Sequence, residues 1–410
     1  MAVGISYNSQ KASRVRLMPN EKVSYSKTER QTGEGIKRLY HADNLDVLHS
    51  LMRDKDVFGK VTLIYIDPPY NTGGSFETRD FQYAYNDKFV MDEYLAFMRK
   101  RLELMRLLLS DEGSIYVHLD SNMVFHVKVM MDEIFGSQCF KGMITRKKCK
   151  SKNFTRKTYG NISDYILFYA KSETPVWNRP YELWSDEKIL KEYPCVEEGS
   201  GRRYKKVPLH APGVRNGATG MSWRGLLPPA GKHWQFTPEK LDEMDARGEI
   251  YWSSNGNPRR KVYLDQSQGV PVQDIWLDYL DVNNQNTLVT GYPTEKNLDM
   301  LKRIIETSSR IGDIVMDCFA GSGTTLVAAE ELGRQWIGVD IGDESVETIK
   351  KRFKHGSKPM GDYVGKRKVS QQQLDVFDCC DEEQVTEGRD EKEDSMVNYD
   401  FFEDLTLQKQ

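Results

Sequence analysis

Four consecutive residues, Asp67, Pro68, Pro69 and Tyr70, carry the most legible chemistry in this chain. They close an apolar run from Val61 to Ile66, the pattern of a central parallel strand buried on both faces. Open α/β sheets bind their ligands at the carboxyl ends of such strands, which is where Asp67 falls. The two prolines fix two φ angles and remove two backbone donors, so the Pro68 carbonyl is held by restricted torsions. A carboxylate and a fixed carbonyl can each accept one hydrogen of a planar –NH2 group. Tyr70 adds a flat face on which a base can stack. Accepting both hydrogens draws an exocyclic amine toward pyramidal geometry and frees its lone pair to attack an electrophilic methyl.

A second cluster, Asp317-Cys-Phe-Ala-Gly-Ser-Gly-Thr-Thr325, lies between an apolar strand pattern and a helical one. Gly321 and Gly323 allow a sharp turn and close approach of the backbone to a ligand beside a helix N-terminus. About 20 residues on, the next strand ends in Asp340, placed to hold ribose hydroxyls. A GxG loop alone is a weak signal. It lacks the GxxxxGK[ST] pattern, which disfavours a nucleoside triphosphate. Asp317 would repel a pyrophosphate and suits a cationic ligand. S-adenosylmethionine, with an ammonium, a sulfonium and a ribose, fits this loop better than a dinucleotide does.

Elements that could position these groups follow from periodicity. Ile36–Asp43 reads as a short strand and Asn44–Met52 as a helix begun by an Asn cap. Leu95, Met98, Leu102, Met105 and Leu109 recur at helical spacing within Met91–Ser110 and are assigned to core packing. Gly113–Asp120 is a strand, followed by a helix through Phe135. The α/β alternation stops near Phe140 and resumes with a helix over Glu295–Ser309, strands at Asp313–Phe319 and Gln335–Ile341, and a helix from Asp343. One α/β domain is therefore split by an insertion. The expected divisions are an arm over 1–35, a catalytic half over 36–140, an insertion over 141–290, a cofactor half over 291–370 and an acidic flexible tail over 371–410.

The 410 residues suffice for one large or two ordinary domains. A hydrophobic share of 39% and a charged share of 29% are those of a globular protein. No apolar run approaches the roughly 20 residues that span a bilayer, and the N-terminus lacks the apolar block of a signal peptide. The six cysteines form no CxxC pair, which argues against zinc, and we expect no metal. Scattered thiols point to a reducing cytoplasm. The net charge of −3 hides a contrast: Lys141–Lys232 holds 19 bases against 8 acids, and Cys379–Gln410 holds 11 acids against 3 bases. A basic middle can bind a polyanion despite a neutral total.

Asp67–Gly74 (DPPYNTGG) and Phe319–Thr325 (FAGSGTT) together resemble the two signatures of S-adenosylmethionine-dependent DNA amino-methyltransferases. The catalytic signature precedes the cofactor loop, which is similar to the circularly permuted β group that includes type III restriction Mod subunits. His41–Leu48, Gly113–Asp120, Asp164–Lys171, Gly291–Asn297 and Ile337–Ile341 agree, so the resemblance covers about residues 36 to 355. It implies a Rossmann-like, seven-stranded mixed sheet with helices on both faces. It also implies catalytic roles for Asp67, Pro68, Pro69 and Tyr70, and cofactor contacts from Asp317, Phe319, Gly321, Gly323 and Asp340. Asp43 matches an acid near the cofactor, and Lys296 the lysine of the family's T-E-K-P stretch. Two positions depart from the pattern: Cys318 and Asn297 stand where the family usually has proline.

The resemblance points to methylation of adenine N6 in duplex DNA after base flipping, with cytosine N4 as the alternative. A DNA-binding subunit without activity, and an RNA methyltransferase, fit the intact motifs and the basic insertion less well. C5-cytosine chemistry needs a nucleophilic cysteine, and the one Pro-Cys pair, Pro194-Cys195, lies far from any strand-end motif. The insertion is the expected target-recognition region, with Arg146–Lys157 and Gly201–Lys206 facing phosphates. Trp223, Trp234 and Trp252 within it are read mainly as the core of a small domain. A bacterial or phage-borne cytoplasmic enzyme is expected, with duplex DNA as partner and room for a restriction subunit or a homodimer. The chain is short for a type III subunit, which suits an orphan enzyme.

Overall fold

Val61–Ile66 is buried at every position, as its unbroken apolar run requires, and forms a strand at the centre of the large sheet. A computed structural model of the chain describes residues 25–29, 35–69, 75–77, 83–86, 91–151, 157–281, 295–355 and 399–404. The strands of the large sheet are β1 (Tyr25–Glu29), β2 (Lys37–His41), β3 (Val61–Ile66), β4 (Leu109–Leu119), β5 (Phe140–Lys147), β6 (Ser163–Ala170), β7 (Ile275–Trp276), β8 (Ile314–Asp317), β9 (Gln335–Asp340) and β10 (Asp400–Asp404). Their spatial order is β1-β10-β2-β9-β8-β3-β4-β6-β5-β7.

The seven strands from β2 to β5 in that order form the expected Rossmann-like mixed sheet. Strands β2, β9, β8, β3 and β4 run parallel, and β6 runs antiparallel to both β4 and β5. Three short strands extend it. β7 pairs parallel with β5, β10 pairs parallel with β2, and β1 pairs antiparallel with β10.

Helices α1 (Asn44–Leu51), α2 (Met91–Leu108), α3 (Val124–Phe135), α4 (Leu298–Ser308), α5 (Thr324–Glu331) and α6 (Asp343–His355) belong to the same unit. The α2 stripe does what its spacing predicts: Met98, Leu102 and Met105 are fully buried and Leu95 packs partly against the core. Each such side chain stabilises the fold by roughly 1.5–3 kcal/mol through removal from water. Leu109, the last position of that stripe, opens β4 instead of closing the helix. The cap of α1 is Asp43, whose carboxylate accepts from the Leu45 amide at 2.7 Å, in place of the Asn44 cap that the sequence suggested.

The second compact unit spans Arg179–Val272, narrower than the 141–290 insertion expected from composition. Phe140–Lys147 and Ser163–Ala170 are long strands that complete the large sheet, so the basic texture around them does not mark a boundary. The smaller unit holds a four-stranded antiparallel sheet and a helix, Pro238–Ala246, that starts with proline behind a Thr237 cap. Trp223 and Trp234 are buried with Leu209, Leu241, Met244 and Ile250, and Trp252 packs on that cluster. These tryptophans are core residues.

The acidic tail also differs from expectation. Strand β10 docks on the sheet edge because its acids flank two aromatics: Phe401 is buried and Phe402 stacks on Tyr40 with ring centres 4.6 Å apart. Just before it, Tyr399 packs against Trp336 and Phe353.

Candidate active site

Three adjacent parallel strands end in acids or lead straight into them. β3 leads into Asp67, β8 ends in Asp317 and β9 ends in Asp340. Parallel pairing of β9 with β8 and of β8 with β3 brings together signatures that are far apart in sequence. Pro68 is buried and Pro69 half-buried behind Asp67. Tyr70, the residues 71–74 after it and the first four residues of Gly291–Asn297 lie outside the described residues.

The glycine loop turns as its residues predict. Gly321 and Gly323 adopt φ of 52° and 73°, a left-handed conformation that side chains rarely adopt, and Gly323 caps α5. A Cβ on Gly323 would lie 2.7 Å from Ile349 Cγ1, so glycine is needed there for space as well as for torsion. Asp340 braces the loop: its two oxygens accept from the amides of Gly321 at 2.8 Å and Gly342 at 2.9 Å. Burial raises its pKa, against the lowering effect of those two bonds. Ser345 donates to the Gly321 carbonyl at 2.6 Å.

Asp317 is buried, accepts from Thr325 Oγ1 at 2.5 Å and from the Phe319 amide at 3.0 Å, and so shapes the loop from within. Burial pushes its carboxyl up to about 7, and the neighbouring charges of Asp67 and Asp340 add to the rise. A site in which one acid is held back from ionising by its neighbours favours a cationic ligand. Phe319 is half-buried, with its ring centre 6.1 Å from that of Phe97.

Several supporting residues carry no sequence motif. Arg101 on α2 donates through Nε to Asn44 Oδ1 and pairs with Asp43 at 3.1 Å, while its guanidinium lies 3.5 Å from the centre of the Phe97 ring. Asn44 in turn donates to the Cys318 carbonyl at 2.8 Å. The Cys318 position, usually proline in the family, is thus fixed by a hydrogen bond to its carbonyl. Arg352 on α6 donates to the Ser322 carbonyl at 3.2 Å and Thr324 Oγ1 at 2.9 Å, and pairs with Glu295 at 3.2 Å. These residues lie far apart in sequence, so no local pattern could have signalled them.

Lys296 meets the strand-end acid of β3: its Nζ lies 2.7 Å from Asp67 Oδ2. Asn297 caps α4 by accepting from the Met300 amide at 3.1 Å, which supplies a helix start where the family pattern has proline. Arg146, read in the sequence as a phosphate contact, is fully buried against Asp164 and Asp281 instead. Asp164 also meets His118 Nε2 at 2.9 Å, and His118 Nδ1 meets the Tyr65 hydroxyl at 2.7 Å. Burial works to raise the Asp164 pKa, but the His118 and Arg146 charges hold it far below the carboxylate range. Of the other expected phosphate contacts, Arg202 pairs with Asp265 at 2.7 Å and Lys206 lies 3.5 Å from the Tyr251 ring centre. Residues 152–156 of the Arg146–Lys157 stretch lie outside the described residues.

A Rossmann-like sheet with a strand-end Asp-Pro-Pro corner beside a glycine loop defines a group-transfer enzyme of the α/β class. Residues 61–351 match the family model of N6 and N4 methyltransferases, described as DNA methylase, and the chain belongs to that family. It is 50% identical over 323 residues to the type II methyltransferase M.EcaI of Enterobacter cloacae, covering 79% of this chain and 70% of that one. It is 30% identical to the Mod subunit of the type III enzyme StyLTI of Salmonella typhimurium, over 72% of this chain and 49% of that one. This chain therefore spans about half of that Mod subunit's length. The solved M1.HpyAVI–SAM complex overlays with a TM-score of 0.42 at 17% identity, over 77% of this chain and 98% of that one.

The protein is a DNA methyltransferase of the restriction-modification type, and the family's cofactor is S-adenosylmethionine. Among the described residues no helix is long and apolar enough to cross a membrane, and no cluster of His, Cys, Asp and Glu could hold a metal ion.

Proposed function

We propose that the protein methylates the N6 amine of adenine at a specific sequence in duplex DNA, reaching the base by flipping it out of the helix. The observation that carries this reading is the Asp67-Pro68-Pro69 corner at the end of β3, one strand from the glycine loop after β8. Asp67 and the Pro68 carbonyl would accept the two amine hydrogens, Pro69 would hold that carbonyl, and Tyr70 would stack on the base. Gly321, Gly323, Phe319, Asp340 and Asp43 would hold the cofactor, with Asp317 shaping the loop beneath it. The negative strand ends fit the cationic character of S-adenosylmethionine, which when bound supplies an electrophilic methyl group. Asp67 favours the reaction by stabilising the positive charge that develops on the amine nitrogen as it attacks.

The Asp-Pro-Pro-Tyr-Asn-Thr-Gly run supports adenine over cytosine, since it resembles the N6 enzymes more closely. Cytosine N4 is the second reading, because its amine offers the same two hydrogens and the family includes both chemistries. The Arg179–Val272 unit supplies the region for sequence recognition, and a restriction subunit is the proposed partner, as the type III relatives suggest. Incubating the protein with sequence-diverse duplex DNA and labelled cofactor, then separating the nucleosides by mass spectrometry, tests the reading. N6-methyladenine from the wild type and none from Asp67→Ala is expected. N4-methylcytosine would select the second reading, and no methyl transfer would overturn both.

A further inference from the structure

Lys296 reaches the catalytic carboxylate, and three features place it there deliberately. Its Nζ is 2.7 Å from Asp67 Oδ2, with both side chains mostly shielded from solvent. The residue before it, Glu295, is buried and anchored to Arg352, which also holds the glycine loop. The residue after it, Asn297, caps α4. The backbone on either side of Lys296 is therefore fixed, and its ammonium is aimed at Asp67.

Asp67 leads off β3 beside two further strand-end acids, Asp317 on β8 and Asp340 on β9. A carboxylate free to rotate there could leave the orientation in which it and the Pro68 carbonyl both accept from one amine. An ammonium in contact holds it in place. The same ammonium must also leave that oxygen when the base arrives, because a fixed positive charge there would oppose the positive charge developing on the amine nitrogen.

We propose that Lys296 is the positioning residue of Asp67: it keeps the carboxylate oriented while the site awaits its base, and yields that oxygen to the target amine. This rests on the methyltransferase reading above and assigns Lys296 to the base side of the site, where the family resemblance suggested the cofactor. The pairing sets the acceptor before the base is flipped.

The test compares wild type with Lys296→Met and Lys296→Arg, measuring kcat and KM for duplex DNA and cofactor affinity by calorimetry. For Lys296→Met kcat should fall by roughly ten-fold, while KM for DNA and cofactor affinity change by less than about three-fold. Lys296→Arg should recover most of kcat. A loss of cofactor affinity with kcat unchanged at saturating cofactor would overturn the proposal and return Lys296 to the cofactor. Should Lys296→Met fail to fold, Lys296→Gln carries the same expectations. An inactive wild type would sink the methyltransferase reading itself, whereas an active wild type with unchanged kcat in the variants sinks only the role of Lys296.

Discussion

The Thr325 hydroxyl donates to the buried Asp317 carboxylate at 2.5 Å, tying the first turn of α5 to the end of β8 across the glycine loop. This bond and the one from the Phe319 amide favour the ionised acid, yet burial and the neighbouring acids win and leave its pKa about 7. A folded pKa raised above the unfolded value near 4 gives stability that is present in acid and lost as pH rises toward 7. The ligand-free protein should therefore melt at lower temperature at pH 8 than at pH 5.5, and Asp317→Asn should flatten that difference. A cationic cofactor reverses the balance by favouring the charged acid. Its affinity should rise about ten-fold between pH 6 and pH 8, with protons released on binding, as calorimetry in buffers of different ionisation enthalpy would reveal.

Arg101 joins α2 to α1 and to the loop through Asn44, Asp43 and the Phe97 ring. Removing it leaves a buried amide and a carboxylate without their charged partner. Arg101→Ala is expected to cost about 1.5–3 kcal/mol of stability and to weaken cofactor binding, because Phe319 and Asp43 lose their support. Arg101→Lys should restore the Asp43 pair but not the flat stacking on Phe97, giving an intermediate cofactor Kd.

Arg146 belongs to the interior despite its place in a basic run. Arg146→Ala leaves the buried Asp164 with His118 alone and should destabilise the protein by about 3 kcal/mol in urea unfolding. A drop in DNA affinity with unchanged stability would mean that Arg146 faces phosphate instead.

Phe401 tests whether the terminal strand matters to the fold. It is buried at the sheet edge, with the Lys350 ammonium 3.7 Å from its ring centre. Phe401→Ala should cost about 3 kcal/mol, read as a lower Tm. Phe401→Asp should release the strand, which limited proteolysis would detect as cleavage near Tyr399.

The two signatures were legible because each is local. A buried strand that ends in an acid and prolines, and a pair of glycines before a helix, announce their backbone conformations within a few residues. The α/β class followed from the alternation of strand and helix patterns, and the seven-stranded mixed sheet from the family resemblance of the two signatures. What escaped the sequence is relational. Arg101, Asn44 and Arg352 act across separations that no periodicity encodes, and Lys296 shows its orientation only once α4 is placed beside β3. Charge composition misled in two places: it counted Arg146 as surface, and it hid the Phe401–Phe402 pair among acids. The compact unit is narrower than the expected insertion for a related reason, since β5 carries basic residues at its ends yet pairs along its length with β6 to complete the sheet.

Pairing of β3 with β8 makes neighbours of residues that the chain visits at opposite ends of its course. Among the described residues the strands nearest the two ends, β1 and β10, also pair, with Tyr25 opposite Asp404. Such a sheet is nearly indifferent to where its chain is cut. Linking β1 to β10 and opening a surface loop elsewhere would reverse the order of the Asp-Pro-Pro corner and the glycine loop in the gene while leaving their spatial relation intact. The order of the two signatures is thus a record of the chain's path, and the chemistry depends only on which strands lie side by side.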